Sequence, residues 1–293
     1  MRATFVINPA SGGGQGAALG ALLTQRGHSV YDLRRGRLIE LAASCAGLLV
    51  ACGGDGTVAA VLDAVYRSDR DLAVAMIPLG TGNDLARHLG WPSIPPTADR
   101  LDSWLAHAIA APERRLDRWL LVGPGIERAW FNYWSIGDDA AAALRFHHLR
   151  RVQPWLMRGG ALNKAMYGLC GLAEAGARLR GCYDHPLPSG TGALVVASIA
   201  SYAGGTCLGP RIASDDRLTD LFALPMGLGL GLLLVGRRRA KALGQAASWE
   251  LRFSRSVPMQ LDGEPFIGSP GLWAVRHGGQ VRMLAGPGLR PRT

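Results

Sequence analysis

Lysine is nearly missing from this chain. Of 32 Lys and Arg in 293 residues, only Lys164 and Lys241 are lysines. Aromatic residues are equally thin at 7% and are not interleaved with a basic stripe, as a stacking platform for single strands requires. No nucleic-acid-binding motif occurs, so nucleic acid is excluded as a partner. Cysteine is sparse: the five residues at 45, 52, 170, 182 and 207 are odd in number and form no CxxC pair. That pattern supports neither a disulfide framework nor a zinc site, and fits a reducing, cytosolic setting. Long hydrophobic runs are lacking too. The longest, Leu221–Val235, is interrupted by Pro225 and three glycines, and falls short of the roughly 18 residues that a membrane span needs. The opening Met1-Arg-Ala-Thr-Phe-Val-Ile enters a strand pattern without a signal-peptide signature. The Gly-Lys-Ser/Thr of a Walker loop is also absent, which removes the usual lysine on β- and γ-phosphates.

What is present is apolar bulk, glycine and positive charge. With 48% apolar residues the chain has material for real cores, and its length predicts two domains. The net charge of +10 is unevenly placed: residues 1–116 carry 11 Arg and 10 acidic residues, whereas 117–293 carry 21 Lys and Arg against 12 acidic. The basic excess of the second part predicts an anionic partner, and with nucleic acid excluded that is an anionic membrane surface.

Three glycine-rich segments dominate the first part. The apolar stretch Gly47–Cys52 has strand length, and Val58, Val61, Leu62 and Val65 follow at helical spacing. Between them, Gly53-Gly54-Asp55-Gly56-Thr57 forms a turn whose bare backbone can approach a phosphate at a helix N-terminus. Asp55 would repel an uncompensated phosphate, so its presence calls for a cation or a transferable proton. The plainer alternative is a tight strand–helix connection with Asp or Thr as helix cap. Asn8-Pro9-Ala10-Ser11-Gly12-Gly13-Gly14 follows the strand pattern Thr4–Ile7 and leads into a helix over Ala17–Gln25. A strand at Ser29–Asp32, an Arg-rich link, and a helix at Leu38–Ala46 come next. Leu72–Ile77 reads as another strand, followed by Pro78-Leu-Gly80-Thr81-Gly-Asn83-Asp84, where Asn83 or Asp84 can cap a short helix ended by Gly90. Strands alternating with helices predict a doubly wound α/β domain whose three loops lie at strand C-terminal ends, where a phosphate ligand belongs.

In the second part, short β-like runs at Leu194–Ala200, Asp220–Ala223, Glu250–Phe253 and Leu272–Arg276 predict a β-rich, sandwich-like domain. Helical patterns interrupt it at Ala140–Arg150 and Leu228–Leu243. The segment Arg145–Arg158, with Trp155-Leu-Met157, mixes cations and apolar residues as an interfacial membrane element does, or as a surface helix that snorkels its arginines. Arg237-Arg238-Arg239 beside the apolar run Leu228–Val235 has the same character. Adjacent His147 and His148 point apart on a helix and read as surface. Asp262-Gly263-Glu264 reads first as a hairpin turn between Met259–Leu261 and Phe266-Ile267.

The three glycine segments, in this order and spacing, resemble the catalytic domain of diacylglycerol kinases and related lipid kinases. NAD kinases and phosphofructokinases carry a similar Gly-Gly-Asp-Gly, so it is the three segments together that carry the resemblance. Leu116-Asp117-Arg-Trp119, Asn132-Tyr-Trp-Ser-Ile-Gly137, Asn163-Lys164, Ser201-Tyr-Ala-Gly-Gly205 and Pro258-Met-Gln-Leu-Asp262-Gly-Glu264-Pro265 look like the family's accessory domain. The resemblance implies a catalytic nucleotide-binding α/β domain at 1–116 and an accessory β-rich domain at 117–293. It implies transfer of the ATP γ-phosphoryl group to diacylglycerol, on a protein peripherally bound to the inner face of the membrane. The acceptor could instead be a sphingoid base, a ceramide or a soluble molecule such as NAD, and a membrane-binding pseudokinase is the non-enzyme alternative. By resemblance, Asn8, Pro9, Ser11, Gly12, Gly13, Gly53, Gly54, Gly56, Thr57, Gly80, Thr81 and Asn83 would hold the nucleotide. Asp55, Asp84, Asp117 and Asp262 would anchor Mg²⁺, and Glu264 would accept the proton. Asp215-Asp216 resembles a loop that binds a structural Mg²⁺, but Arg217 stands where glycine is usual. Asp138 likewise occupies a position that is usually hydrophobic.

Overall fold

The computed structural model describes residues 3–80, 82–92, 94–152, 179, 187–209, 212–234 and 236–288. Thr81, Lys164 and the stretch containing Trp155-Leu-Met157 lie outside these residues. The chain divides into two compact units, one of Met1–Arg118 with Gly279–Thr293 and one of Trp119–Gly278. The first unit thus takes in the end of the chain as well as its beginning.

In the first unit, β1 (Ala3–Ile7), β2 (Ser29–Asp32), β3 (Leu48–Gly53) and β4 (Ala73–Pro78) pair in parallel in the order β2-β1-β3-β4. Helices α1 (Gln15–Gln25), α2 (Leu38–Ser44) and α3 (Asp55–Arg67) connect them, and α4 (Asp84–His88) and α5 (Leu101–Ala110) follow. All six residues of β3 are buried, as expected for an interior parallel strand read as a continuous apolar run. Asp32 accepts from the Arg34 backbone and side chain, and these hydrogen bonds hold its carboxyl at about 2. Along β4 lies the last part of β16 (Gly271–Leu284), in parallel register with Arg282 opposite Ala73 and Met283 opposite Val74. This return is fastened by buried Trp91, whose Nε1–H donates to the Leu284 carbonyl at 2.8 Å. Trp91→Phe leaves that carbonyl without its donor, so the first unit is expected to lose about 1–3 kcal/mol, read from its denaturant midpoint.

The second unit holds a six-stranded antiparallel sheet in the order β12-β11-β8-β7-β14-β15. Its strands are β7 (Tyr133–Gly137), β8 (Thr191–Ala197), β11 (Thr219–Pro225), β12 (Lys241–Ala246), β14 (Val257–Leu261) and β15 (Glu264–Gly268). Separately, β5 (Glu113–Gly123) pairs with β6 (Ile126–Trp130), and β13 (Ser248–Phe253) with the first part of β16, both antiparallel. A short hairpin joins β9 (Ser201–Tyr202) and β10 (Thr206–Cys207), and α6 (Asp138–Val152) follows β7 directly. Trp119, Trp130, Trp134 and Trp273 are fully buried in one apolar cluster with Leu251, Val257 and Met259. The parallel core of the first unit and the antiparallel second unit both match the expected fold class.

Two sequence expectations are corrected here. The helical pattern over Leu228–Leu243 yields only α7 (Leu228–Leu234); Lys241–Ala246 is instead the exposed edge strand β12, hydrogen-bonded to β11. Among the described side chains of the apolar run, Leu230 and Leu233 are not free surface but buried with Tyr133, Val195 and Leu224, while Leu232 stays 42% exposed. Arg237, Arg238 and Arg239 just after it are exposed. Among the described residues no helix is long and apolar enough to cross a membrane.

Candidate active site

The three glycine loops of the first unit meet. Asn8, at the end of β1, donates through its backbone N–H to the Cys52 carbonyl (3.1 Å) and through Nδ2 to Thr57 Oγ1 (3.2 Å). Its Oδ1 accepts from the Ala10 N–H (3.2 Å), and its carbonyl from the Ser11 N–H (3.0 Å), which closes the turn around Pro9. Gly12, Gly13 and Gly14 then run at φ of 63, 66 and 103°, a left-handed series that only glycine adopts without strain. Apart from each glycine and its immediate chain neighbours, no atom lies within 4 Å of the points where Cβ atoms on Gly13 and Gly14 would stand, so bare backbone faces open space.

The second and third loops touch backbone to backbone. A Cβ on Gly80 would stand 2.7 Å from the Cα of Gly54, and one on Gly12 would stand 2.8 Å from the Leu79 carbonyl oxygen. Leu79 N–H donates to the Gly53 carbonyl at 2.8 Å. Gly53 is also sealed by Thr57, whose Oγ1 lies 2.3 Å from the Cβ point. The Asn83 side chain clamps the third loop, accepting from the Gly80 N–H (2.9 Å) and donating to the Gly80 carbonyl (2.7 Å).

That clamp changes the expected helix cap. Asn83 is left-handed (φ 51°) and its side chain is turned back onto Gly80, so neither it nor Asp84 caps α4. The cap comes from another loop: Asp55 Oδ2 and Oδ1 accept from the backbone N–H groups of Asp84 and Leu85, each at 3.1 Å. A carboxylate at a helix N-terminus satisfies orphan donors and complements the helix dipole. The cap expected of Asp55 thus falls on α4 rather than on its own helix α3, which has no side-chain cap. Asp55 fastens the third loop, and its Oδ2 and that of Asp84 lie 3.2 and 3.7 Å from the Cβ point of Gly82. Arg87 donates to the Gly82 carbonyl and stands 3.7 Å from Asp84 Oδ1, which partly balances the acidic pair. The sequence reading passed over Arg87, although its place one turn after Asp84 is the spacing of an ion pair. Cys52, just before the second loop, is fully buried, and burial pushes its thiol far up, so it stays protonated.

Other expected site residues lie apart from this cluster in the chain. Asp117, in β5, is fully buried and its Oδ1 accepts from Gln280 Nε2 at 2.7 Å. Next to it Arg118 pairs with Asp63 (2.6 Å) and stacks over the Tyr66 ring. In the second unit, Asp262 and Gly263 form a two-residue hairpin turn at φ of 48 and 88° between Leu261 and Glu264, as the hairpin reading expects. Glu264 is exposed. Asp216 Oδ1 accepts from the Leu218 N–H, and Arg217 sits at φ 62°, a left-handed conformation that favours glycine. Asp220 nearby is raised, chiefly by burial.

Among the described residues no group of three or more His, Cys, Asp or Glu could hold a metal. Mg²⁺, however, is ordinarily held by one or two carboxylates together with substrate phosphates and water. Asp55 and Asp84, converging beside bare glycine backbone, fit that donor set.

Residues 2–111 match the family model of the diacylglycerol kinase catalytic domain, and residues 129–265 that of the accessory domain. The chain belongs to the diacylglycerol kinase family. Diacylglycerol kinase 2 of Arabidopsis thaliana is 33% identical to it over 83% of this chain and 39% of the plant protein. Human diacylglycerol kinase theta is 29% identical over 98% of this chain and 35% of its own length. The chain thus spans less than half the length of these relatives. A solved diacylglycerol kinase of Bacillus anthracis str. Sterne shares the fold, with a TM-score of 0.59 at 16% identity over 98% of this chain and 97% of that one. All three glycine loops fall inside the diacylglycerol kinase catalytic match, and Asp262 and Glu264 inside the accessory match.

Proposed function

We propose that this chain transfers the γ-phosphoryl group of ATP to the primary hydroxyl of diacylglycerol, giving phosphatidate and ADP. The observation that carries the reading is the convergence of Asp55 and Asp84 beside the glycine backbone of loops that touch one another. Phosphoryl transfer asks the protein mainly for positioning and charge stabilisation. The backbone of Gly12–Gly14, Gly53–Gly54 and Gly80 would cradle the phosphates, with Asn8 and Asn83 holding the loops in place. Asp55 and Asp84 would hold Mg²⁺, which when bound neutralises phosphate charge. The acceptor oxygen forms a bond to the γ-phosphorus as the bond to the β-phosphate oxygen breaks, and Glu264 takes the hydroxyl proton. The substrate stays in the bilayer, so the basic surface that includes Arg237, Arg238 and Arg239 would bring the protein to anionic lipid.

The test is a lipid panel in anionic vesicles with radiolabelled ATP. Labelled phosphatidate is expected, and it disappears when Mg²⁺ is chelated. Label on a sphingoid base, on ceramide or on NAD would move the acceptor elsewhere, and no Mg²⁺-dependent turnover at all would make the protein a pseudokinase.

A further inference from the structure

The carboxylate proposed as proton acceptor is exposed, so its place is set by the hairpin that carries it. Two buried polar devices fasten that hairpin to β7 and to the turn before it. At its tip Asp262, only 8% exposed, spends both carboxylate oxygens on backbone donors. Oδ2 accepts from the Phe131 N–H (2.9 Å), and Oδ1 from the N–H groups of Asn132 (2.7 Å) and Tyr133 (3.1 Å). The Asp262 N–H in turn donates to the Tyr133 carbonyl at 3.0 Å. Two residues earlier on the same strand face, Gln260 pairs with Ser135 across the sheet. Its Nε2 donates to Ser135 Oγ (2.8 Å) and to Asp139 Oδ2, which also accepts from Ser135 Oγ (2.6 Å). Gln260, Ser135 and Asp139 are all buried.

We infer that Gln260 and Asp262 are positioning residues that fix the register of the β14–β15 hairpin, and with it Glu264. The inference rests on the proposed role of Glu264. A one-residue slip of β14 would carry both polar side chains to the opposite face, among Trp134, Val257 and Met259. Burying them there unpaired is heavily penalised, so the polar pair selects one register.

Asp262→Asn is the informative change, because Asn tolerates the left-handed turn yet places an NH₂ where a backbone donor needs an acceptor. Turnover per folded molecule is expected to fall about a hundredfold, the scale of a misplacement of about 1 Å. Half-saturating Mg²⁺ should stay unchanged, and Asp262→Asn with Glu264→Gln should be no slower than Glu264→Gln alone. Amide exchange at Phe131, Asn132 and Tyr133 should accelerate in Asp262→Asn and not in Glu264→Gln. Gln260→Met, which keeps the tip intact, should show the same kinetic pattern and serves if the first variant does not fold. A tenfold shift in the Mg²⁺ requirement, multiplying effects in the double variant, or unchanged amide protection would overturn the inference. An inactive parent would sink the kinase reading while the exchange experiment still decides the hairpin.

Discussion

Glu264→Gln is expected to lower phosphoryl transfer by about a hundred- to ten-thousandfold at matched folded fraction, the usual cost of removing a general base, the role proposed for this carboxylate. The side chain stands on an exposed strand position beside the turn, paired through its backbone with Leu261. Gln has the same shape and strand fit, and no buried group is disturbed. Stability and ATP binding should therefore remain at parental values, which separates loss of a proton acceptor from loss of a fold element. The measurement is single-turnover transfer alongside ATP binding on the same preparations. Parental turnover in the variant would return Glu264 to a plain hairpin role.

The second large effect is expected at Gly80→Ala. The new methyl group would lie 2.7 Å from the Cα of Gly54 and equally close to Asn83 Oδ1. Neither obstacle is the free end of a flexible chain. One is backbone and the other is held by two hydrogen bonds. The second and third loops must part, and the Asp55 cap on α4 goes with them. Overpacking of this kind costs about 1–3 kcal/mol, which a unit with an intact apolar core around Phe5, Val50 and Ile77 can survive. Nucleotide affinity should drop by about a hundredfold or more, since the proposed phosphate cradle consists of these backbones. Gly20→Ala is the control, because its Cβ would meet only Ile7 at ordinary contact distance, 3.6 Å. Calorimetric titration of ATP into both variants checks the contrast, and equal affinities would separate the glycine loops from nucleotide binding.

These two residues mark what the sequence discloses. The loops were legible because close backbone approach admits only glycine, and three glycine segments after three strand patterns leave little else to build. The partner of Asp55 was not, since a cap supplied from thirty residues away has no local signature and competes with the nearer Asn83. The turn at Asp262 is legible in Asp-Gly, but the three donors that occupy its carboxylate lie about 130 residues upstream. In Leu228–Leu243 the apolar spacing suited a helix. Beyond Leu234 the free edge of β11 offered ladder hydrogen bonds that local periodicity cannot register. The return of the chain end along β4 was invisible for the same reason.

That return sets an order of assembly during synthesis. Sheet pairing in the amino-terminal unit needs Arg282 and Met283 beside Ala73 and Val74, and these emerge from the ribosome some two hundred residues later. Everything from Trp119 to Gly278 is made in between. The second unit can therefore consolidate while the first still exposes one side of β4, an apolar strand waiting for its partner. A ribosome stalled between residue 78 and residue 279 would hold a nascent chain with that edge of β4 unpaired, and it is there that a holdase chaperone would find its binding site.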